Sequence, residues 1–282
     1  MRPPVALTVA GTDSGGGAGI AADLKTFAAH GVWGTFAVTA VTAQNTLGVA
    51  AVEVLRPDIV AAQIGAVAGD FAIAAMKTGM LGDAAVVEAV ATAVEEWDLH
   101  PLVVDPVAVA SAGGALLSPD GLEALRTRLL PLADLVAPNL AEAAALAGLD
   151  EVPSDEAGVE RAAAAVLDLG PRGVLLTGGH LPGPESPDLL MWRGPAEEVW
   201  TVIGHSPRQL SKRWLPGRRI NAPNTHGTGC VLSAAVTARL ARGEDLVQAV
   251  EGAKEFVTAA IAAGVDLGAG PGAVNPSGSS PP

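Results

Sequence analysis

One cysteine, no tyrosine and only 3% aromatic residues leave this 282-residue sequence short of several common structural devices. A single thiol, Cys230, excludes an internal disulfide framework and a cysteine-rich zinc site. With so few rings, the core must rest on Ala, Val, Leu and Ile. Basic residues are scarce too: 17 Lys and Arg stand against 30 Asp and Glu, a formal net charge of −13. Phosphate-backbone contacts need Lys and Arg, so nucleic acid is not an expected partner. No apolar run reaches the roughly 18 residues of a membrane-spanning helix. The early apolar run at residues 5–10 is shorter than the core of a signal sequence, so a reducing cytoplasm is the expected compartment.

What is present is apolar. Hydrophobic residues make up 49% of the chain and charged ones 17%, which excludes a disordered chain. At about 150 residues per domain, the length allows one large α/β domain or two small ones. Short β-rich runs at 5–10, 35–41, 73–78, 102–104, 134–137 and 173–177 alternate with helical stretches near 17–30, 57–69, 83–97, 119–130, 139–147 and 155–169. Such alternation predicts βαβ units and a mainly parallel sheet covered on both faces. Pro57 after Arg56, and Pro119 after Ser118, read as helix starts. Two late helices, near 228–242 and 245–264, close the unit. In the second, Leu246, Val250, Ala253, Val257, Ala260 and Ile261 keep one face apolar. No linker or internal repeat interrupts residues 1–266, which read as one domain, and 267–282 form a Gly/Pro/Ser-rich tail. Residues 207–219 depart from the rest, with five basic residues and no acidic one.

In a doubly wound sheet, ligands bind beyond the carboxyl ends of the strands. After the first strand comes a Gly-rich turn, Gly11 to Gly19, which lacks the Gly-Lys-Ser/Thr of a Walker A loop. It reads either as tight strand-to-helix packing or as bare backbone against a ligand. A second loop, Thr225-His226-Gly227-Thr228-Gly229-Cys230, opens a helix. Small residues there expose backbone N–H groups, and the helix dipole adds partial positive charge, so Gly227, Thr228 and Gly229 form a candidate anion hole. Cys230 in the first turn reads either as a thiol with a lowered pKa or as a small buried hydrophobe. Asp105, straight after strand 102–104, is a Mg²⁺ ligand or an Asx-turn. Asn139 and Glu142, at i and i+3, share a helix face and point to a metal-bound phosphate or to a capping box. Lys77 and His180 also stand at strand ends.

These pieces, in this order, resemble the ribokinase-like superfamily and, within it, the hydroxymethylpyrimidine/phosphomethylpyrimidine kinases of thiamine biosynthesis. The resemblance rests on AGTDSGGGAGIAADLKTF (10–27), TAVTAQNTLGV (39–49), KTGMLGD (77–83), VVDPVAVASAGGALLSP (103–119), LLPLADLVAPNLAEAAALAG (129–148), TGGHL (177–181) and NTHGTGCVLSAAVTARLARG (224–243), and covers about residues 5–266. It implies a three-layer α/β/α fold with a mainly parallel central sheet. It also implies ATP- and Mg²⁺-dependent phosphorylation of 4-amino-5-hydroxymethyl-2-methylpyrimidine and of its monophosphate, by a homodimer. Carried over, Gln44 hydrogen-bonds the aminopyrimidine, while Gly11, Asp23, Thr42 and Met80 line its pocket. Asp105, Asn139 and Glu142 arrange Mg²⁺ and phosphates, with Asp105 and Glu142 as metal ligands. The 227–229 amides bind the transferred phosphoryl group, and Cys230 sits beside the attacking hydroxyl.

Two departures stand out. Where the family has a phosphate-contacting Lys before Gly-Gly-His, this chain has Thr177 on the nucleotide side. One expectation is that Arg208, Lys212, Arg213, Arg218 or Arg219 folds over the nucleotide and supplies the missing charge. The alternative is a solvated basic loop. Ala108 stands where a pocket Met is common. A pyridoxal/pyridoxine kinase remains open as an alternative, as does a pyrimidine-binding protein that has lost phosphoryl transfer.

Overall fold

The computed structural model describes residues 2–108, 116–179, 181, 183–194 and 210–278. The chain starts in strand β1 (Val5–Ala10), passes the Gly-rich turn into helix α1 (Gly19–Ala29) and returns through β2 (Trp33–Val38). A hairpin follows, β3 (Ala40–Asn45) and β4 (Gly48–Val54), and then α2 (Pro57–Ala68), β5 (Ile73–Thr78), α3 (Ala84–Trp97) and β6 (Leu102–Val104). Helix α4 (Pro119–Ala124) runs on into a π-helical turn at Leu125–Leu129. Next come β7 (Leu135–Val136), α5 (Leu140–Ala147), α6 (Glu156–Leu167), β8 (Gly173–Leu176), β9 (Asp188–Arg193) and β10 (Leu210–Leu215). Two helices, α7 (Thr228–Ala241) and α8 (Leu246–Ala262), pack against each other near the end.

Eight strands form one sheet in the order β10-β9-β8-β7-β6-β5-β1-β2, while β3 and β4 pair separately. Strands β2, β1, β5, β6, β7 and β8 are mutually parallel, and β9 and β10 run antiparallel at one edge. Successive side chains of a strand point to opposite faces, and the burial follows that rule. Val104, Val136 and Leu176 face the core under the α2, α3 and α6 layer. Their neighbours Val103, Leu135 and Leu175 face the core under α7 and α8. Fully burying a side chain such as Leu135 contributes about 1.5–3 kcal/mol. The expected three-layer α/β/α fold is the fold observed.

The helix starts follow the sequence. Pro57 occupies the first turn of α2, and Ser118 caps α4, its hydroxyl accepting from the Gly121 amide. On α8, Leu246, Val250, Ala253, Val257 and Ala260 are buried as their spacing predicts, while Ile261 is only partly buried at the helix end. Three strands had no counterpart in the sequence reading: β4, β9 and β10. The single strand expected at 35–41 is divided at Thr39. Its amide still bonds Ala10 of β1, but its hydroxyl turns to the Met80 carbonyl, and the chain leaves the sheet to start the hairpin. Among the described residues, no helix is long and apolar enough to cross a membrane.

The stretch after Gly268 is docked along the domain. Ala273 bridges to His226 and to Val265, the Asn275 amide bonds the Ala260 carbonyl, and Val274 is 3% exposed. Residues 279–282 lie outside the described residues.

Candidate active site

The sheet delivers the expected residues to its carboxyl edge. Gly11 follows β1, Met80 follows β5, Asp105 follows β6, Asn139 follows β7 and Thr177 follows β8. The Asn139 and Thr177 backbones bridge, and the Thr177 amide donates to the Pro138 carbonyl at 3.1 Å.

The Gly-rich turn is the floor on which the two halves of the site meet. On one side stands the β3–β4 hairpin. The Thr42 amide donates to Thr12 Oγ1 (3.0 Å), the Thr42 hydroxyl donates to the Thr12 carbonyl (2.8 Å), and Ser14 Oγ takes the Gln44 amide (2.9 Å). Thr42 and Gln44, two apart on β3, share a face, and Thr42 Oγ1 lies 3.3 Å from Gln44 Oε1. A Cβ on Gly11 would come within 2.9 Å of Met80 Sδ, so bare backbone there leaves room for the methionine.

On the other side stands the start of α7. Gly227 caps that helix with φ +86°, and a Cβ there would collide with the Gly17 carbonyl. Only glycine permits both the left-handed conformation and this backbone-to-backbone approach. The first intrahelical bond joins Val231 to Gly227 (2.9 Å), so the amides of residues 228–230 are the helix's unshared donors, apart from a long 3.3 Å contact of Thr228 to Thr225. Gly229 is exposed, with nothing within 4 Å of its Cβ direction.

Asp13 ties the two halves together. Its carboxylate accepts from the amides of Gly15 (2.8 Å), Gly17 (3.1 Å) and Ala18 (2.9 Å) and from His226 Nε2 (2.9 Å). Burial works to raise its pKa, but the imidazole and the amides outweigh it and hold the group below the usual carboxylate range. No sequence signal singled out Asp13 or His226, although both lie in the motifs that carried the resemblance.

Beneath the floor lies a buried charge network. Lys77, fully buried on β5, places Nζ 2.9 Å from Asp23 Oδ1 and 3.9 Å from Asp105 Oδ2. Thr8 donates to Asp23 at 2.6 Å, and Ser233 of α7 donates to Asp105 at 3.0 Å. Burial works against the ammonium, but the Asp23 and Asp105 charges prevail and hold Lys77 protonated, above its ordinary range. The structure therefore corrects the placement of Asp23. It is 0% exposed and bound to Thr8 and Lys77, so its carboxylate is turned inward rather than presented to a ligand. Lys77 was visible in the sequence only as a residue at a strand end.

Of the two readings of Cys230, a lowered thiol or a small buried hydrophobe, the surroundings favour the second. The residue is partly accessible, but burial of the thiol and the nearby Asp105 and Asp23 charges push its pKa up to about 12, against the opposing pull of Lys77 and the Gly19 amide. The lowered thiol expected from a helix start is thus overridden by desolvation.

Asn139 and Glu142 form a full capping box on α5. The Glu142 amide donates to Asn139 Oδ1 and the Asn139 amide to Glu142 Oε2, both at 2.9 Å. Glu142 is also pushed up to about 8, first by burial and then by the Asp105 charge. Asp105 is raised by burial as well, with Lys77 and Ser233 opposing. Glu142 thus closes the cap with Asn139 and at the same time neighbours the Asp105 carboxyl.

The basic stretch is dispersed. Lys212 and Arg213 lie on edge strand β10 and pair with Glu160 (2.6 Å) and Glu251 (2.6 Å), so the idea that they fold over a nucleotide is corrected. Charged edge residues protect an unpaired strand edge from association. Arg219 turns back onto the backbone carbonyls of Gly179, Leu181, Gly183 and Glu185. Arg208 and His180 lie outside the described residues.

A mainly parallel sheet with bare-glycine loops at its carboxyl edge, a helix start with unshared amides behind Gly227 and neighbouring carboxyls fits a ribokinase-like phosphotransferase scaffold. The family model for phosphomethylpyrimidine kinase matches residues 13–275. A hydroxymethylpyrimidine/phosphomethylpyrimidine kinase of Streptomyces coelicolor is 48% identical over 275 residues, which is 98% of this chain and 95% of that one. A Bacillus subtilis pyridoxal kinase, solved as an ADP complex, superposes with TM-score 0.84 at 35% identity, covering 98% of both chains. A phosphomethylpyrimidine kinase of Clostridium difficile superposes with TM-score 0.73 at 36% identity, covering 90% of this chain and 98% of that one. The chain belongs to the phosphomethylpyrimidine kinase family.

Proposed function

We propose that this protein transfers the γ-phosphoryl group of ATP to the hydroxymethyl oxygen of 4-amino-5-hydroxymethyl-2-methylpyrimidine, and then phosphorylates the monophosphate to the diphosphate, in thiamine biosynthesis. The observation that carries the reading is the Gly-rich turn, which joins the hairpin bearing Gln44 to the start of α7. A ring held by Gln44 and Thr42 over Gly11 and Met80 places its hydroxymethyl group toward Cys230 and the 227–229 amides.

In this reading the hydroxyl oxygen forms a bond to the γ-phosphorus as the bond to the bridging oxygen breaks, and ADP leaves with that electron pair. Phosphoryl transfer passes through a loose transition state, so positioning and charge neutralisation outweigh base strength. The α7 amides supply fixed donors for the equatorial oxygens. A thiol with its pKa near 12 is no resting base. Cys230 therefore packs beside the attacking hydroxyl, and the hydroxyl proton passes late to an oxygen of the transferred phosphoryl group and from there to solvent. Thr177 and Asn139 line the nucleotide side.

Asp105 and Glu142 fit a Mg²⁺ ion. They are neighbouring hard-oxygen donors, both raised because burial leaves their charge undercompensated. Among the described residues no group of three or more metal-ligating side chains gathers, and phosphate oxygens and water would supply the remaining ligands. When bound, the ion neutralises phosphate charge.

The same reading takes the kinase unit through residue 278, because the 273–275 contacts are part of its core. It makes the protein a cytoplasmic homodimer. Exposed Trp33 (58%) and Phe36 (46%) on edge strand β2 are apolar surface that a second copy would cover.

An ADP-release assay on the pyrimidine and on its monophosphate, with and without Mg²⁺, tests the proposal. Mg²⁺-dependent ADP from both substrates is expected, and none from either overturns it. Pyridoxal phosphorylation is the second reading, favoured by the higher TM-score to the Bacillus subtilis enzyme. The ratio of kcat/KM for the two alcohols decides between them, and we expect it to favour the pyrimidine.

A further inference from the structure

Arg219 makes an arrangement that the proposed chemistry does not use. Its guanidinium donates from Nε to the Gly183 carbonyl (2.9 Å), from Nη1 to Gly179 (2.6 Å), and from Nη2 to Leu181 and to Glu185 (3.1 Å). The four acceptors are alternate residues of one loop, so their carbonyl dipoles converge on one cation. A guanidinium has five donors in a planar fork, whereas an ammonium has three on a point charge. No other basic side chain can fill this role without loss of bonds. A neutral one would leave the carbonyls pointing at one another.

Further contacts truss the same loop. The Arg219 amide donates to Pro184 and the Ser186 amide to Gly217, while Glu185 and Arg218 bridge. From below, Lys254 of α8 donates to the Ser186 carbonyl (3.0 Å) and to Asp188 (2.7 Å), and Asp188 in turn accepts the Gly178 amide (2.9 Å). The loop thus starts at Thr177, whose backbone bridges Asn139, and is fixed at both ends before it enters β9.

We propose that Arg219 is the positioning residue of the nucleotide side. It gathers the carbonyls of Gly179, Leu181, Gly183 and Glu185 around its guanidinium and so holds the wall beside Thr177 and Asn139 against which ATP binds. The inference rests on the proposed function for the location of the nucleotide. Arg219 does not touch phosphate. Its charge is spent on the loop, so its loss acts on nucleotide affinity and leaves the pyrimidine half, built on the Gly-rich turn, unchanged.

The test compares wild type, R219A and R219K by ADP calorimetry and by steady-state kinetics. For R219A we expect the Kd for ADP and the KM for ATP to rise about tenfold or more, the worth of one charge-assisted hydrogen bond. We expect the KM for the pyrimidine and the kcat at saturating ATP to stay within about twofold. R219K falls between the two, because it keeps the charge and loses the fork. Unchanged ADP affinity in a folded R219A overturns the proposal, and so does a fall in kcat with KM for ATP unchanged, which would put the charge on the reacting phosphate. If R219A does not fold, R219K decides, and wild-type ADP affinity there overturns it. Calorimetry reads nucleotide affinity without turnover. A wild-type protein that binds ADP but phosphorylates no pyrimidine would therefore sink the functional reading and leave the Arg219 assignment standing.

Discussion

Replacing Lys77 with Met probes the charge network beneath the site. Lys77 and Asp23 are both fully buried and 2.9 Å apart, with Asp105 3.9 Å from the ammonium. Removing one partner of such a pair leaves the other charge uncompensated, at a cost of about 3–5 kcal/mol. At roughly 2–4 °C per kcal/mol for a chain of this size, Tm should fall by about 10 °C. The deficit should depend on pH in a fixed direction. Without Lys77, Asp23 keeps only the Thr8 hydroxyl, and burial raises its folded pKa further above the ordinary 3.8. A group whose folded pKa is raised contributes its full stability below the unfolded value and loses it as pH climbs through the folded one. K77M should thus be nearer to wild type at pH 4.5 than at pH 8. K77M/D23N, which removes the stranded charge, should recover part of the loss and flatten the pH dependence. Urea unfolding of the three proteins across that range is the assay. A K77M deficit below about 1 kcal/mol at pH 8, or one independent of pH, would refute the argument that this pair is held by mutual compensation.

Glu142, raised from 4.5 to about 8, should make the metal-free protein lose stability between those pH values, at up to about 1.4 kcal/mol per unit. E142Q should remove that slope in urea unfolding with EDTA, and equal slopes would argue against the burial. Because a metal binds the ionised carboxyl, Mg²⁺ affinity should rise from pH 6 to 8 in wild type and rise less steeply in E142Q, which keeps only the Asp105 carboxyl. G227A forces a Cβ into the Gly17 carbonyl at φ +86° and should lower kcat by more than about 100-fold, since losing a single oxyanion donor already costs that much. Activity within tenfold of wild type would show that the α7 start is not the phosphoryl site. C230A should lower kcat at pH 7 by no more than about tenfold, because a thiol near 12 is almost never a thiolate there. A loss above 1,000-fold would restore the base role.

The strand-and-helix order could be read along the chain because its causes are local. Pro57 and Ser118-Pro119 start helices whatever surrounds them, and the α8 stripe reports its buried face by spacing alone. The sheet's carboxyl edge was legible for the same reason, as each candidate loop follows its strand directly. Strands β9 and β10 were not legible. β9 is one short buried apolar run, and β10 is a basic segment whose strand character comes from pairing with β9 in register.

What the sequence determined by itself was the set of chemical parts: bare glycines at residues 11–19 and 227–229, one thiol, and carboxyls at strand ends. The tertiary structure decided their states. Whether Asp23 faces a ligand or a buried Lys77, whether Cys230 is easy or hard to ionise, and whether Arg219 meets a phosphate or four carbonyls depend on neighbours far away in the chain. Desolvation and Coulomb forces act through space, and the spacing of residues along a chain does not carry that information.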